Sequence, residues 1–171
     1  MAVWNKIWDE VIHADANAIC ARKYANVQRR IQLAYKILIP LLSGLSAFAI
    51  KYDYANAAFW SAVILCVSTI AKAVFPQLIL SELDIQRLSK LHTEFINYRE
   101  KVEGLMERFK NDKELKDEDA LKELLRLKKS ITEQNAELDK LVLWIPSFID
   151  KHITIESDRY LSAVHKNKYQ E

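Results

Sequence analysis

The chain of 171 residues contains only two glycines, three prolines and two cysteines. So little Gly and Pro leaves almost no turn chemistry for a many-stranded protein, and long helices are the expectation. Cys20 and Cys66 both sit in helix-like segments, which excludes a disulfide framework and reads as two small buried residues in a reducing interior. A surplus of one charge is also lacking. Twenty-five Lys and Arg against 23 Asp and Glu leave a formal net charge of +2, so duplex nucleic acid is not an expected partner. There is no phosphate-binding Gly loop, nucleophile elbow or CxxC pair. Neither enzymatic activity nor a cofactor is therefore expected. The N-terminal stretch is interrupted by Lys6, Asp9, Glu10 and Asp15, and it lacks the continuous apolar core of a signal peptide.

What the chain does have is a long apolar stretch from Ala34 to Pro76, charged only at Lys36, Lys51, Asp53 and Lys72. The 14 residues between Lys36 and Lys51 make roughly 21 Å of helix, and the 18 between Asp53 and Lys72 roughly 27 Å. A hydrocarbon core is about 30 Å thick, so the second segment nearly spans it. The first does so if Leu33 to Tyr35 join it and Lys36 snorkels to the headgroups. Soluble core helices keep a polar stripe. Here the polar side chains are only Ser43 and Ser46 in the first segment, and Asn56, Ser61, Ser68 and Thr69 in the second. The expectation is a two-span transmembrane hairpin rather than the core of a soluble bundle.

Small residues fit that reading. Ser43, Gly44 and Ala47, with Ala57, Ser61 and Ser68 on the second span, let helices approach closely in lipid or line a pore. Tyr35, Tyr52, Tyr54, Phe59 and Trp60 stand where the interfaces should fall. Lys6, Arg22, Lys23, Arg29 and Arg30 precede the first span, and Lys72, Arg87 and Lys90 follow the second. The connecting loop holds only Lys51, which puts both termini in the cytoplasm.

Outside the spans the period is helical. Trp4, Ile7, Val11, Ala14, Ala18, Ala21 and Ala25 recur at three and four. Leu88, Leu91, Phe95, Tyr98, Val102, Leu105 and Phe109 do so for three heptads. After NDKELKDED a second helix carries Leu121, Leu124, Leu127, Ile131, Leu138 and Leu141, with Gln134 interrupting the seam. An antiparallel helical hairpin is the simplest arrangement. Pro146 is expected to end that helix near Ile145, and Ser157 to cap a short last one bearing Tyr160, Leu161 and Val164.

The fold expected is thus all-α, in four parts. Residues 1–30 form a cytoplasmic amphipathic helix. Residues 31–80 hold the hairpin, with spans at about 33–51 and 54–76. Residues 81–145 form a cytoplasmic helical hairpin or coiled coil, and 146–171 a tail with a short helix.

Few constellations carry chemistry. Glu10-Val-Ile-His13 matches the Glu-x-x-His of di-iron bundles, but those need a second copy and further carboxylates, so a solvated helix surface is the better reading. His152 and Glu156 are equally isolated, and no metal is expected. Lys36 and Lys72 fall at the cytoplasmic ends of the spans. They suit either ordinary snorkelling or, in an oligomer, a positive ring at a pore mouth. Arg22, Lys23, Arg29 and Arg30 serve topology, or form a basic surface for a phosphate-bearing ligand. Arg87, Lys90, His92 and Arg99 are a second such candidate or a solvated coiled-coil flank.

The order of parts is itself informative. A helix containing ANAICARKYANVQRR leads into IPLLSGLSAFAI, then a tight turn, a second span and the long helix LSELDIQRLSKLHTEFINYREKVEGLMERF. Over about residues 10–140 this resembles the SLATT family of two-span bacterial effectors. The resemblance implies a pore-forming effector of an anti-phage, abortive-infection system in the bacterial inner membrane. It also implies a signal, a nucleotide or oligonucleotide made by a partner nucleotidyltransferase, that opens or shuts the pore from the cytoplasm. No catalytic residue is carried over. Two spans cannot line a pore alone, so the expectation is a homo-oligomer, taken as a tetramer, in contact with membrane lipid, with Pro76 as the hinge. Two alternatives stand beside it: a non-conducting membrane scaffold that recruits a cytoplasmic partner, and a soluble helical interaction module.

Overall fold

The computed structural model describes residues 2–52, 54–74, 79–112, 115–142 and 144–166. Among the described residues the protein is all-helical, with six helices and no strand. These are α1 (Ala2–Lys51), α2 (Ala55–Val74), α3 (Glu82–Asn111), α4 (Asp117–Ser130), α5 (Thr132–Leu141) and α6 (Ser147–Lys166). The proposed hinge at Pro76 lies outside the described residues.

The chain divides into two compact units. The first joins residues 1–25 with 86–171, and the second comprises residues 26–85. The amphipathic N-terminal stretch and the apolar stretch that follows are parts of one helix. α1 runs through both, with Pro40 inside it. Proline removes a backbone donor and is costly within a helix in water. It is better tolerated in membrane helices, where local adjustments satisfy the freed carbonyl.

The first unit has a conventional core. The α1 stripe of Ile7, Val11, Ala14, Ala18, Ala21 and Ala25 is buried. So are Leu88, Leu91, Phe95, Tyr98, Val102 and Leu105 of α3, six of the seven residues of the three-heptad seam; the seventh, Phe109, is half-buried. Ala120 and Leu124 of α4, Leu138 of α5 and Ile149 of α6 add to it. Cys20 belongs to this interior. Burial, with Asp150 adding to it, pushes its thiol pKa up to about 11, so it is an inert thiol. α4 begins on Asp117, Glu118 and Asp119 and ends on Lys128 and Lys129, complementing the helix dipole at both ends.

Three expectations need correction here. The single helix expected to carry Leu121 through Leu141 is broken into α4 and α5 at Ile131, whose backbone leaves helical geometry. Ser130 and Thr132 flank the break, donating to the carbonyls of Leu127 and Lys128. Such hydroxyl back-bonding competes with regular helix. Pro146 does not end a helix. α5 has already closed at Leu141, and Pro146 starts α6, its carbonyl accepting from Ile149 and Asp150 at 2.8 and 3.1 Å. Finally, Ser157 is no cap. It lies buried in the middle of α6. The β-branched run Ile153–Thr154–Ile155 argues locally against helix, and docking of the Ile149 face overrides it.

The second unit is tied by polar contacts. The Gln28 side chain is buried and accepts from the Leu80 N–H at 3.2 Å, and Gln32 donates to the Leu80 carbonyl. The Tyr35 hydroxyl donates to the Ser68 carbonyl at 3.1 Å. Ser46 of α1 meets Ser61 of α2 at 2.5 Å, and Ser61 also donates to the Ala57 carbonyl. Leu42 and Ala49 of α1 and Ser61 of α2 are buried.

Candidate functional site

The second unit presents most of its large apolar side chains outward. On α1, Leu33, Ile37, Leu41, Leu45 and Phe48 are each more than half exposed, and on α2 so are Phe59, Trp60, Val67 and Ile70. α1 contains a stretch long and apolar enough to cross a membrane by length and composition, of which only 11 % is buried. The apolar part of α2, Ala55–Ile70, is shorter. Contiguous exposed apolar surface of this extent marks a membrane or protein contact in a soluble-protein background. Cys66, expected to be buried, is exposed on α2, because none of the described residues covers it.

The residues assigned to a pore or to helix packing separate into two groups. Ser61 is buried against Ser46, and Ser68 receives the Tyr35 hydroxyl on its carbonyl. Ser43, Gly44 and Ala47 instead lie on the exposed side of α1. The Ser43 hydroxyl bonds back to the Ile39 carbonyl, and a Cβ added at Gly44 meets nothing within 4 Å. Their small size is not used to bring α1 against α2. Lys36 is exposed and lies 3.7 Å from Glu82, so a ring of Lys36 side chains would carry a ring of carboxylates beside it. Lys72 is within α2, and its side chain lies outside the described residues.

The basic candidates are divided between the units. Arg29 and Arg30 belong to the second; Arg22, Lys23, Arg87, Lys90 and Arg99 belong to the first. Arg22 and Lys23 are brought together on one carboxylate, Glu156 of α6. Burial opposes the charge of Glu156, but Lys23 and then Arg22 outweigh it and hold its pKa below the usual glutamate value. Arg99 bonds to buried Asp15 at 2.5 Å, and its guanidinium lies 4.3 Å from the centre of the Tyr160 ring. Tyr160 in turn donates to Glu103. Lys90 pairs with Glu94 one turn on, at 3.5 Å. Arg22, Lys23 and Arg99 thus hold α6 in place, and any added anion must compete with Glu156 and Asp15.

Glu10 corrects the reading of the Glu-x-x-His motif. It is buried, not solvated, because the stripe of α1 turns it toward α3. It accepts from the Tyr98 hydroxyl at 2.8 Å and pairs with Lys128 at 2.6 Å. Burial first, then Glu10 itself, raises the Tyr98 pKa far above its ordinary value, which keeps the phenol a donor. Around this trio lies a cavity of about 320 Å³, bounded also by His13, Asn17, Asn135 and Asp139. Asn17 donates to Asn135 across it at 3.0 Å. Among the described residues no three His, Cys, Asp or Glu side chains are grouped to hold a metal.

Sequence reasoning missed Glu10, Asp15, Tyr98, Lys128 and Tyr160 as a polar framework. A signal existed. Asp15 lies between Ala14 and Ala18 of the buried stripe, and Tyr98 sits in an otherwise apolar seam. A buried phenol or carboxylate requires a partner. Comparison of the chain with models of protein families, with curated proteins and with solved structures finds no match.

Proposed function

We propose that this chain is a two-span bacterial inner-membrane protein of the SLATT kind, both termini in the cytoplasm. Copies of it assemble into a pore that depolarises the membrane as an antiviral response. The observation that carries the reading is the exposed apolar surface of α1 and α2 in the second unit, whereas the first unit has an apolar core of its own. A hairpin that leaves Leu41, Leu45, Phe59 and Trp60 to its surroundings is stable where those surroundings are lipid or other copies. Ser43, Gly44 and Ala47 then offer a surface for the neighbouring subunit, and the soluble helices offer the control. A nucleotide, oligonucleotide or partner protein acts either in the cavity around Glu10 and Lys128 or by displacing Glu156 from Arg22 and Lys23.

The test is induced expression in bacteria with a membrane-potential dye, for wild type and for Ser43→Leu with Gly44→Leu. A Cβ at Gly44 meets nothing within 4 Å among the described residues, and Ser43 is exposed, so the substitutions are directed at assembly rather than at the contact of α1 with α2. Depolarisation by wild type that is lost in the variant at equal membrane abundance supports a pore built on this face. Absence of conductance from reconstituted oligomer under every signal condition sinks the pore and favours the scaffold.

A further inference from the structure

The second unit holds a cavity of about 370 Å³ whose lining includes Tyr35, Lys36, Ile79, Leu80, Glu82 and Asp84. That volume lies in the range of small-ligand sites, roughly 300–1,000 Å³. Its lining is fixed from behind. Gln28 and Gln32 hold the Leu80 backbone from both sides. Ser81 caps α3, accepting from the Asp84 N–H at 3.1 Å while its hydroxyl donates to the Asp84 carboxylate at 2.6 Å. Leu80 is buried, and Tyr35 and Ile79 are half-buried. Lys36 and Glu82 stand exposed at 3.7 Å, longer than a hydrogen bond.

Both signs of charge therefore border one small amphipathic cavity. In water such an exposed pair contributes little. On the membrane reading, which this inference rests on, Lys36 is the charge that bounds the first span and so stands at headgroup depth. Charges at that depth are stabilised by counter-charges and by hydrogen bonds that replace water. Among the described residues the lining offers one cation, Lys36, and two carboxylates, Glu82 and Asp84. A headgroup of net negative charge gains Lys36 but meets both carboxylates. A headgroup with a phosphate and a primary ammonium satisfies both signs: phosphate on Lys36, ammonium N–H groups on Glu82 and Asp84. A quaternary ammonium has no N–H to donate. The geometry points to a binding site for a zwitterionic phospholipid headgroup with a primary amine, of the phosphatidylethanolamine type.

The test uses the full chain in nanodiscs of equimolar phosphatidylethanolamine, phosphatidylcholine and phosphatidylglycerol with identical acyl chains. Lipids retained after release are counted by native mass spectrometry. The expected result is enrichment of phosphatidylethanolamine over both others. Glu82→Gln should reduce that enrichment by about two- to fivefold. Glu82→Lys should turn the preference toward phosphatidylglycerol, and Lys36→Arg should leave it intact. Equal retention of the three lipids by wild type, or a preference indifferent to both Glu82 substitutions, overturns the assignment. Displacement of the lipid by soluble phosphoethanolamine at matched concentration overturns it too, in favour of a soluble ligand. Alkaline carbonate extraction separates this from the reading beneath it. A chain released from membranes overturns both, and a chain that stays but shows no lipid preference overturns only the headgroup site.

Discussion

Two stretches of α1, residues 3–25 and 31–50, are both rich in apolar residues, and they end in opposite situations. In the first, Ile7 and Ala21 are completely buried, and Asn5, Lys6 and Asp9 supply a wet face opposite them. In the second, Leu33, Ile37, Leu41, Leu45 and Phe48 are largely uncovered, and there is no polar face to set against them. Helical period alone does not tell these apart. What distinguishes them is whether the helix has a side fit for water. The first is an amphipathic helix that finds its partners within the chain. The second is left uncovered by the described residues of the chain.

The strongest way to break this comparison is to truncate one large aromatic in each unit. Phe95 is fully buried in α3, and Phe95→Ala should cost about 3–5 kcal/mol in chemical unfolding of the full chain in detergent. Phe48 is 55 % exposed, and Phe48→Ala should cost less than about 1 kcal/mol in the same measurement. Equal costs would mean that the second unit has a packed core after all, and the exposed apolar surface would lose its meaning.

A charge sharpens the contrast from the other side. Ile64 on α2 and Leu125 on α4 are both exposed, at 45 % and 64 %. Leu125→Arg should change stability by within about 0.5 kcal/mol, because that surface faces water. Ile64→Arg should penalise insertion by about 2.5–3.5 kcal/mol and move the chain out of the membrane fraction or into degradation. Indifference of both positions would argue for the soluble helical module.

How much of this was legible is itself uneven. The seam from Leu88 to Leu105 and the stripe from Ile7 to Ala25 were readable, since three–four spacing on a segment with a polar side has one physical solution. The uncovered apolar stretch was readable for the complementary reason, the absence of that side. The breaks were not. Ile131 continues the leucine seam in sequence, and only the combined back-bonding of Ser130 and Thr132 marks the interruption. α6 was hidden because Pro146 was read as an end instead of a beginning, and because β-branched residues at 153–155 argue locally against helix. Arg22 and Arg99 were visible as charges, but their carboxylate partners Glu156 and Asp15 come from 134 and 84 residues away, beyond any local rule.

A smaller effect is expected at the Tyr98 hydroxyl. Tyr98→Phe keeps the ring in the core but removes the donor to Glu10, leaving the buried carboxylate with Lys128. The expected cost is about 1–3 kcal/mol by chemical unfolding in detergent. Glu10→Gln with Tyr98→Phe should cost less than the sum of the single changes, since a neutral amide tolerates the missing donor. Strict additivity would mean that the two side chains are not coupled.

The smallest effect concerns α6, and pH reads it out. The folded-state pKa of Glu156 is lowered, so its contribution is fully present above the unfolded glutamate value of 4.5 and is lost as pH falls through the folded value. Hydrogen exchange of α6, corrected for the chemical rate, should therefore be flat from neutral pH down to about that point and rise below it. Glu103 and Asp15 also face α6, through Tyr160 and Arg99, so acid alone does not single out Glu156. Glu156→Gln does. It should raise α6 exchange at neutral pH by up to about fivefold, as expected for a half-exposed ion pair, and remove part of the acid response. α2 carries no carboxylate, and its corrected exchange should not move with pH in either protein. An acid response in α2 equal to that in α6 would mean that the two units open together, and the division between a self-sufficient core and an outward-facing hairpin would fail.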